Sequence, residues 1–205
     1  IGADSLEFAR AYLATVSVEL DPLTASFAAA NLADFSGSRV VVGDVTNFNP
    51  ESFRDGNGKV VQGIWLDPAR RDLTGVVKSR TERIFDPEAY SPPLSFVVDL
   101  ARTGMPMGVK LGPGMPHEAI ARPEDIRSEA NPHPRVTAQW VEHEGSLVEL
   151  VLWFNALAQE GVARTVTVLR QEATGQAEDK GLRIHKTTLS SPYSAEQVTP
   201  VDEKQ

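Results

Sequence analysis

The sequence predicts an α/β fold built on a doubly wound, mostly parallel sheet with an antiparallel edge. Three observations lead there. Short apolar runs alternate with amphipathic stretches as far as Leu111, the pattern of strands joined by covering helices. The run Arg39–Val42 is continuous and β-branched, as expected of a strand covered on both faces. The closing strands are joined by one further helical pattern and by turns, so an antiparallel pair is expected at one edge.

Taken in order, Ala3–Leu13 reads as a short amphipathic helix with Leu6, Ala9 and Leu13 on one stripe. Thr15–Leu20 reads as a strand. Asp21 followed by Pro22 is a helix start signal, a capping carboxylate before a first-turn proline. That helix is expected to reach about Phe35, with Leu23, Phe27 and Ala30 inward. Arg39–Val42 and Val60–Leu66 are the next strands, separated by a turn at Asp55–Gly58. A polar, irregular stretch from Arg70 to Pro93 has the length of a functional loop. Leu94–Thr103 is expected as a helix ended by Gly104, and Met107–Leu111 as a strand stopped by Gly112–Gly114. Glu118–Pro134 reads as loop and Val136–Val141 as strand. Ser146 then caps a predicted helix with Leu147, Leu150, Val151, Phe154 and Leu157 on one face. Strands at Thr165–Leu169 and near Leu182–Ile184 close the fold. Residues 1–189 form the expected domain, and 190–205 a loose polar tail.

Composition narrows the function classes. The 205 residues suffice for one sizeable domain, and 41% hydrophobic with 23% charged residues is ordinary for a globular chain. There is no cysteine, which excludes disulfides, thiolate catalysis and Cys-based zinc sites. That absence suits a reducing compartment, and the expected location is the cytoplasm. No apolar run approaches the ~18 residues a membrane span needs. His117, His133, His143 and His185 show no paired metal-ligand spacing, so no metal is expected. A net charge of −8 argues against broad nonspecific nucleic-acid binding. A local basic stretch is nonetheless present: Arg70, Arg71, Lys78, Arg80 and Arg83, against Asp72 and Glu82. It reads either as a contact for an anionic substrate such as RNA or as a solvated loop with internal ion pairs. Nothing in the sequence specifies an oligomeric state.

The chemistry lies at the strand ends. Val16–Pro22 (VSVELDP), Gly43–Val45 (GDV) and Trp65–Arg70 (WLDPAR) each end an apolar run in an acid: Glu19, Asp44 and Asp67. In open α/β sheets ligands sit beyond the carboxyl ends of the strands. One carboxylate suits the two hydroxyls of a ribose, and a second acceptor suits an exocyclic amine, so the arrangement reads as a nucleoside site. Each acid also has a plainer reading: Glu19 a solvated strand end, Asp44 a turn residue, Asp67 a cap. The N-terminal residues Ile1–Ser5 (IGADS) match the tail of a glycine-rich loop entering a helix. A short apolar strand with at least one more glycine is therefore expected upstream of Ile1, which N-terminal sequencing of the natural product tests.

The order of these motifs resembles class I S-adenosylmethionine-dependent methyltransferases, a Rossmann-like fold. More narrowly it is similar to a bacterial group whose catalytic domain precedes a THUMP-like C-terminal domain. The narrower resemblance rests on Trp65–Arg71 (WLDPARR), Tyr90–Leu94 (YSPPL), Val109–Gly114 (VKLGPG) and Val151–Phe154 (VLWF). The resemblance covers residues 1 to about 170 and implies S-adenosylmethionine as cofactor. Gly2 and Asp4 would border its methionine part. Glu19 would hold the ribose, with Asp21 in support. Asp44 would accept the adenine amine, and Val45 would pack on the base. Asp67 and Pro68 occupy the catalytic motif position. Apart from the resemblance, Arg70 and Arg71 of the basic stretch read as substrate contacts, and Tyr90 reads either as a stacking platform for a flat acceptor or as a plug of the loop. Amino-methylating relatives carry two prolines and an aromatic residue after the acid. Here Pro68 is followed by Ala69 and Arg70, so the acceptor stays open, an RNA base being preferred. The THUMP-like domain is not expected within these residues. Two other readings remain: a noncatalytic nucleoside-binding module, and a nicotinamide-dependent oxidoreductase in which Glu19 holds an NAD ribose.

Overall fold

The computed structural model describes residues 2–47, 49, 53–69, 86–173 and 180–189, with side chains described through Arg170. It is a mixed α/β protein whose contacts divide it into two units, residues 1–64 and 65–205. The expected tail 190–205 lies outside the described residues.

In the first unit α1 (Ala3–Arg10) precedes β1 (Val16–Glu19), α2 (Pro22–Asn31) and β2 (Arg39–Val42). The two strands pair in parallel, with Val16 opposite Arg39 and Glu19 opposite Val42. Helix α1 stops earlier than its apolar stripe suggests. Tyr12 turns left-handed at φ 64°, and the Leu13 amide donates to the Phe8 carbonyl at 2.9 Å, a six-to-one closure of the helix end. Leu13 is therefore out in solvent. Helix α2 starts as read: the Asp21 carboxylate accepts from the Thr24 amide at 2.8 Å and from its hydroxyl at 2.6 Å.

Its inward face differs from expectation. Ala25, Ala28 and, just past the helix, Leu32 are buried, while Leu23 and Phe27 are 63% and 52% exposed and Ala30 faces out. The small residues form the stripe packed within the unit; Gly2, with φ +75°, comes against Ala28, where an added Cβ would stand 3.1 Å from the alanine methyl. A bulky residue there would hold the segments apart. Strand β2 is likewise not covered on both faces, since Val42 is 54% exposed.

The second unit holds a six-stranded mixed sheet in the order β3-β4-β6-β5-β7-β8. Its strands are β3 (Ile64–Leu66), β4 (Met107–Leu111), β5 (Val136–His143), β6 (Ser146–Phe154), β7 (Arg164–Ala173) and β8 (Lys180–Leu189). Helix α3 (Leu94–Ala101) leads into β4 and is followed by Gly104 at φ 84°. The predicted helix after Ser146 is strand β6 instead. Glu144 and Gly145 both take positive φ, 48° and 85°, the two-residue hairpin turn that matches strand twist. It sets β6 antiparallel to β5 with His143 opposite Ser146. Leu150, Leu152 and Phe154 then point to one face at period two and are fully buried. β7 and β8 form the expected antiparallel pair at the edge, and β7 runs parallel to β5.

One sheet face carries the core. Met107, Val109 and Leu111 of β4 lie opposite Phe154, Leu152 and Leu150 of β6, and Val97 and Ala101 of α3 and Ile126 are buried with them. The loop-like segment after Glu118 is tied down by a buried amide pair. Asn131 Nδ2 donates to Asn155 Oδ1 at 2.9 Å and lies within 3.2 Å of the Ala101 and Ile126 carbonyls. Asn155 Nδ2 donates to the carbonyls of Ala101 and Met105. Carbonyls at and beyond the α3 C-terminus are thus satisfied without water.

Candidate functional site

The expected cofactor residues all lie in the first unit, where strand pairing sets Glu19 and Asp44 at the same end. Parallel pairing places Glu19 and Val42 side by side, and the Gly43 amide donates to the Glu19 carbonyl at 2.9 Å. Glu19 ends β1, and Asp44 lies two residues past Val42, so both acids stand at the carboxyl end of this pair. The Ser17 hydroxyl donates to Ser5 Oγ at 2.8 Å, which pins α1, carrying Asp4 in its first turn, to β1.

Each acid is partly committed. Glu19 Oε1 accepts the Asp21 amide at 3.0 Å; Oε2 has no hydrogen bond among the described residues. Asp21 serves as the α2 cap, and the Thr24 hydroxyl and then its amide hold the Asp21 carboxyl below its ordinary value. Asp44 Oδ1 accepts the Thr46 amide at 2.9 Å and its hydroxyl at 2.8 Å. Those bonds, the amide first, lower the Asp44 pKa and close the turn that the Gly43–Asp44 pair also suggested. Oδ2 has no hydrogen bond among the described residues. Val45 opens a short 3-10 turn. Two half-buried acids thus each keep an oxygen for a neutral hydroxyl or amine donor.

Asp67 and Pro68 belong to the second unit. Asp67 follows β3, and its Oδ2 lies 2.9 Å from the Lys110 ammonium of β4. Lys110 is thus this acid's partner. A pair of bonds between Ala69 and Ser91, at 2.9 and 3.0 Å, draws the Asp67–Ala69 segment alongside Tyr90. Tyr90 itself is 7% exposed and Pro68 is buried, so the tyrosine plugs the loop. Arg70 and Arg71, with Lys78, Arg80 and Arg83, lie outside the described residues.

Sequence reasoning missed a second polar constellation in this unit. Trp153 Nε1 donates to Gln139 Oε1 at 2.6 Å, and Gln139 Nε2 donates to Thr167 Oγ1 at 2.7 Å. Trp65 packs on Trp153 with ring centroids 5.7 Å apart, over Gly108. Reading β6 as a helix hid this face, because only strand register sets Trp153 beside β5. Among the described residues no group of three or more His, Asp or Glu is placed to hold a metal ion, and no helix is long and apolar enough to cross a membrane. Comparison with family models, curated proteins and solved structures returns no match to this chain.

Proposed function

We infer that this protein is an S-adenosylmethionine-dependent methyltransferase of the doubly wound, Rossmann-like type. The observation carrying the reading is the in-register parallel pair β1–β2, which sets Glu19 and Asp44 at the same strand ends. Open α/β sheets bind their ligands at such ends. The residues fit the cofactor: Glu19 and Asp44 each retain a carboxylate oxygen with no hydrogen bond among the described residues.

In this reading Glu19 accepts the ribose hydroxyls, and Asp44 accepts the adenine amine, with Val45 against the base. Gly2 and Asp4 border the methionine part, and Asp21 fixes α2 and donates its amide to Glu19. When bound, the cofactor supplies an electrophilic methyl group for direct displacement, a reaction that depends chiefly on positioning. Asp67 takes the acceptor's proton, and Lys110 holds that carboxylate in place at 2.9 Å. An RNA base is the preferred acceptor, the stretch from Arg70 to Arg83 supplying phosphate contacts.

Titration with S-adenosylhomocysteine and with NAD tests the reading. Micromolar affinity for the former and none for the latter is expected. A preference for NAD would transfer the protein to the nicotinamide-dependent class. Asp67→Ala should retain cofactor binding and abolish methyl transfer to total cellular RNA; retained transfer would reduce Asp67 to a cap.

A further inference from the structure

The sheet face opposite the core carries a small cavity lined by Thr137, Gln139, Trp153, Leu157, Gln159 and Thr165, of about 190 Å³. Register explains its composition. Trp153 of β6 stands opposite Thr137 of β5, and Gln139 of β5 stands opposite Thr165 of β7. All four therefore project to one face. None of the six side chains that line it is ionisable, so the lining itself offers no partner for a charge.

The orientation of Gln139 is determined. Indole N–H can only donate, so the oxygen of the amide must be the atom facing Trp153 and the nitrogen must face Thr167. Each is used once. That leaves one lone pair on Oε1 and one N–H on Nε2, an acceptor and a donor beside an indole and the Leu157 side chain. Thr137 adds no recognition of its own, since its hydroxyl donates to the Val162 carbonyl and accepts from the Gln159 amide.

We propose that this cavity binds a neutral single-ring lactam of the pyrimidine-base type. The ring would pair its adjacent donor and acceptor with the Gln139 amide and lie against Trp153. Volume favours one ring, because the cavity falls below the ~300 Å³ at which pockets for drug-sized ligands begin. Aromatic side chains are common platforms for bases, and a pre-oriented amide gives the stack a hydrogen-bonding direction. The inference rests on this face alone; loss of the cofactor reading leaves it standing.

Titrating the full chain with uridine, adenosine and a short oligouridylate, while following the Trp153 indole N–H resonance, tests it. Trp153→Phe assigns that resonance. Uridine should shift it saturably and adenosine should not. An oligouridylate binding about tenfold or more tighter than uridine would make the ligand a base within a strand. Equal affinities would make it the free nucleoside; either result supports the cavity. Gln139→Leu, checked for an unchanged backbone spectrum, should weaken uridine about tenfold or more, as two hydrogen bonds are lost. No shift with any probe at millimolar concentration, or unaltered uridine binding by folded Gln139→Leu, overturns the proposal.

Discussion

The two units differ in how they use apolar residues. Among the described residues of the first, the buried apolar set is Ala9, Ala25, Ala28 and Leu32, while Leu20, Leu23, Phe27 and Val42 face solvent. In the second, Val97, Met107, Val109, Leu111, Ile126, Leu150, Leu152 and Phe154 are fully or almost fully buried. Two paired strands are a marginal structure, whereas six with an apolar face can hold themselves together. The difference teaches that stability is concentrated in the sheet and helix α3 of the second unit, while the strand-end acids Glu19 and Asp44 sit on the thinner unit. Regions with few buried apolar contacts open most easily, which suits the cofactor site proposed for this unit.

The contrast can be broken most severely by truncating the core. Phe154→Ala should cost about 3–5 kcal/mol, whereas Phe27→Ala should stay within about 0.5 kcal/mol, as for an exposed site. Urea unfolding of both variants measures this, and comparable losses would erase the distinction between the units. Gly108→Ala should be next. Its added methyl would stand 2.7 Å from Trp65 and 2.8 Å from Trp153, an overpacking costing about 1–3 kcal/mol. Near-ultraviolet circular dichroism should lose the tryptophan-pair signal, and an unchanged spectrum would mean the rings yield freely.

A smaller effect is expected with pH. Glu142 is held below its ordinary value of 4.5, first by the Arg170 guanidinium, which grips both carboxylate oxygens, and also by the Gly145 amide. A lowered carboxyl pKa means stabilisation fully present above the unfolded value and lost as pH falls through the folded one. The melting temperature of the native chain should therefore fall in acid more steeply than that of Glu142→Gln. Parallel curves would show that the pair contributes nothing. Asp21→Ala should have the same sense in the first unit, lowering the melting temperature by removing the α2 cap, with the loss disappearing in acid.

Local signals were the legible ones. Asp21 before Pro22 fixed the start of α2 because capping acts within one turn, and Gly104 fixed the close of α3 for the same reason. Mixed α/β character and the antiparallel edge followed from alternation and turns. The hairpin of β5 and β6 did not, because Leu147, Leu150, Val151 and Phe154 fit a helical stripe, while the strand face that is buried runs through Leu150, Leu152 and Phe154. The deciding feature was the Glu144–Gly145 turn, whose left-handed backbone is unusual for glutamate. The buried face of α2 was misjudged by weighing size over fit: alanines allow close approach, and Leu23 and Phe27 do not. Of the site, Glu19 and Asp44 could be read as strand ends. The Lys110 partner of Asp67 and the Gln139–Trp153 bond depend on cross-strand register that no local pattern encodes.

The central claim is that the carboxyl ends of β1 and β2 hold an adenosine. Backbone amide resonances recorded during a titration with S-adenosylhomocysteine test it most directly. The account predicts saturable shifts at Glu19–Asp21 and Gly43–Val45, lost in Glu19→Ala with the departure of charge-assisted bonds worth about 1.5–3 kcal/mol each. Saturable binding that leaves those residues unmoved, or an affinity unchanged by Glu19→Ala, would contradict it.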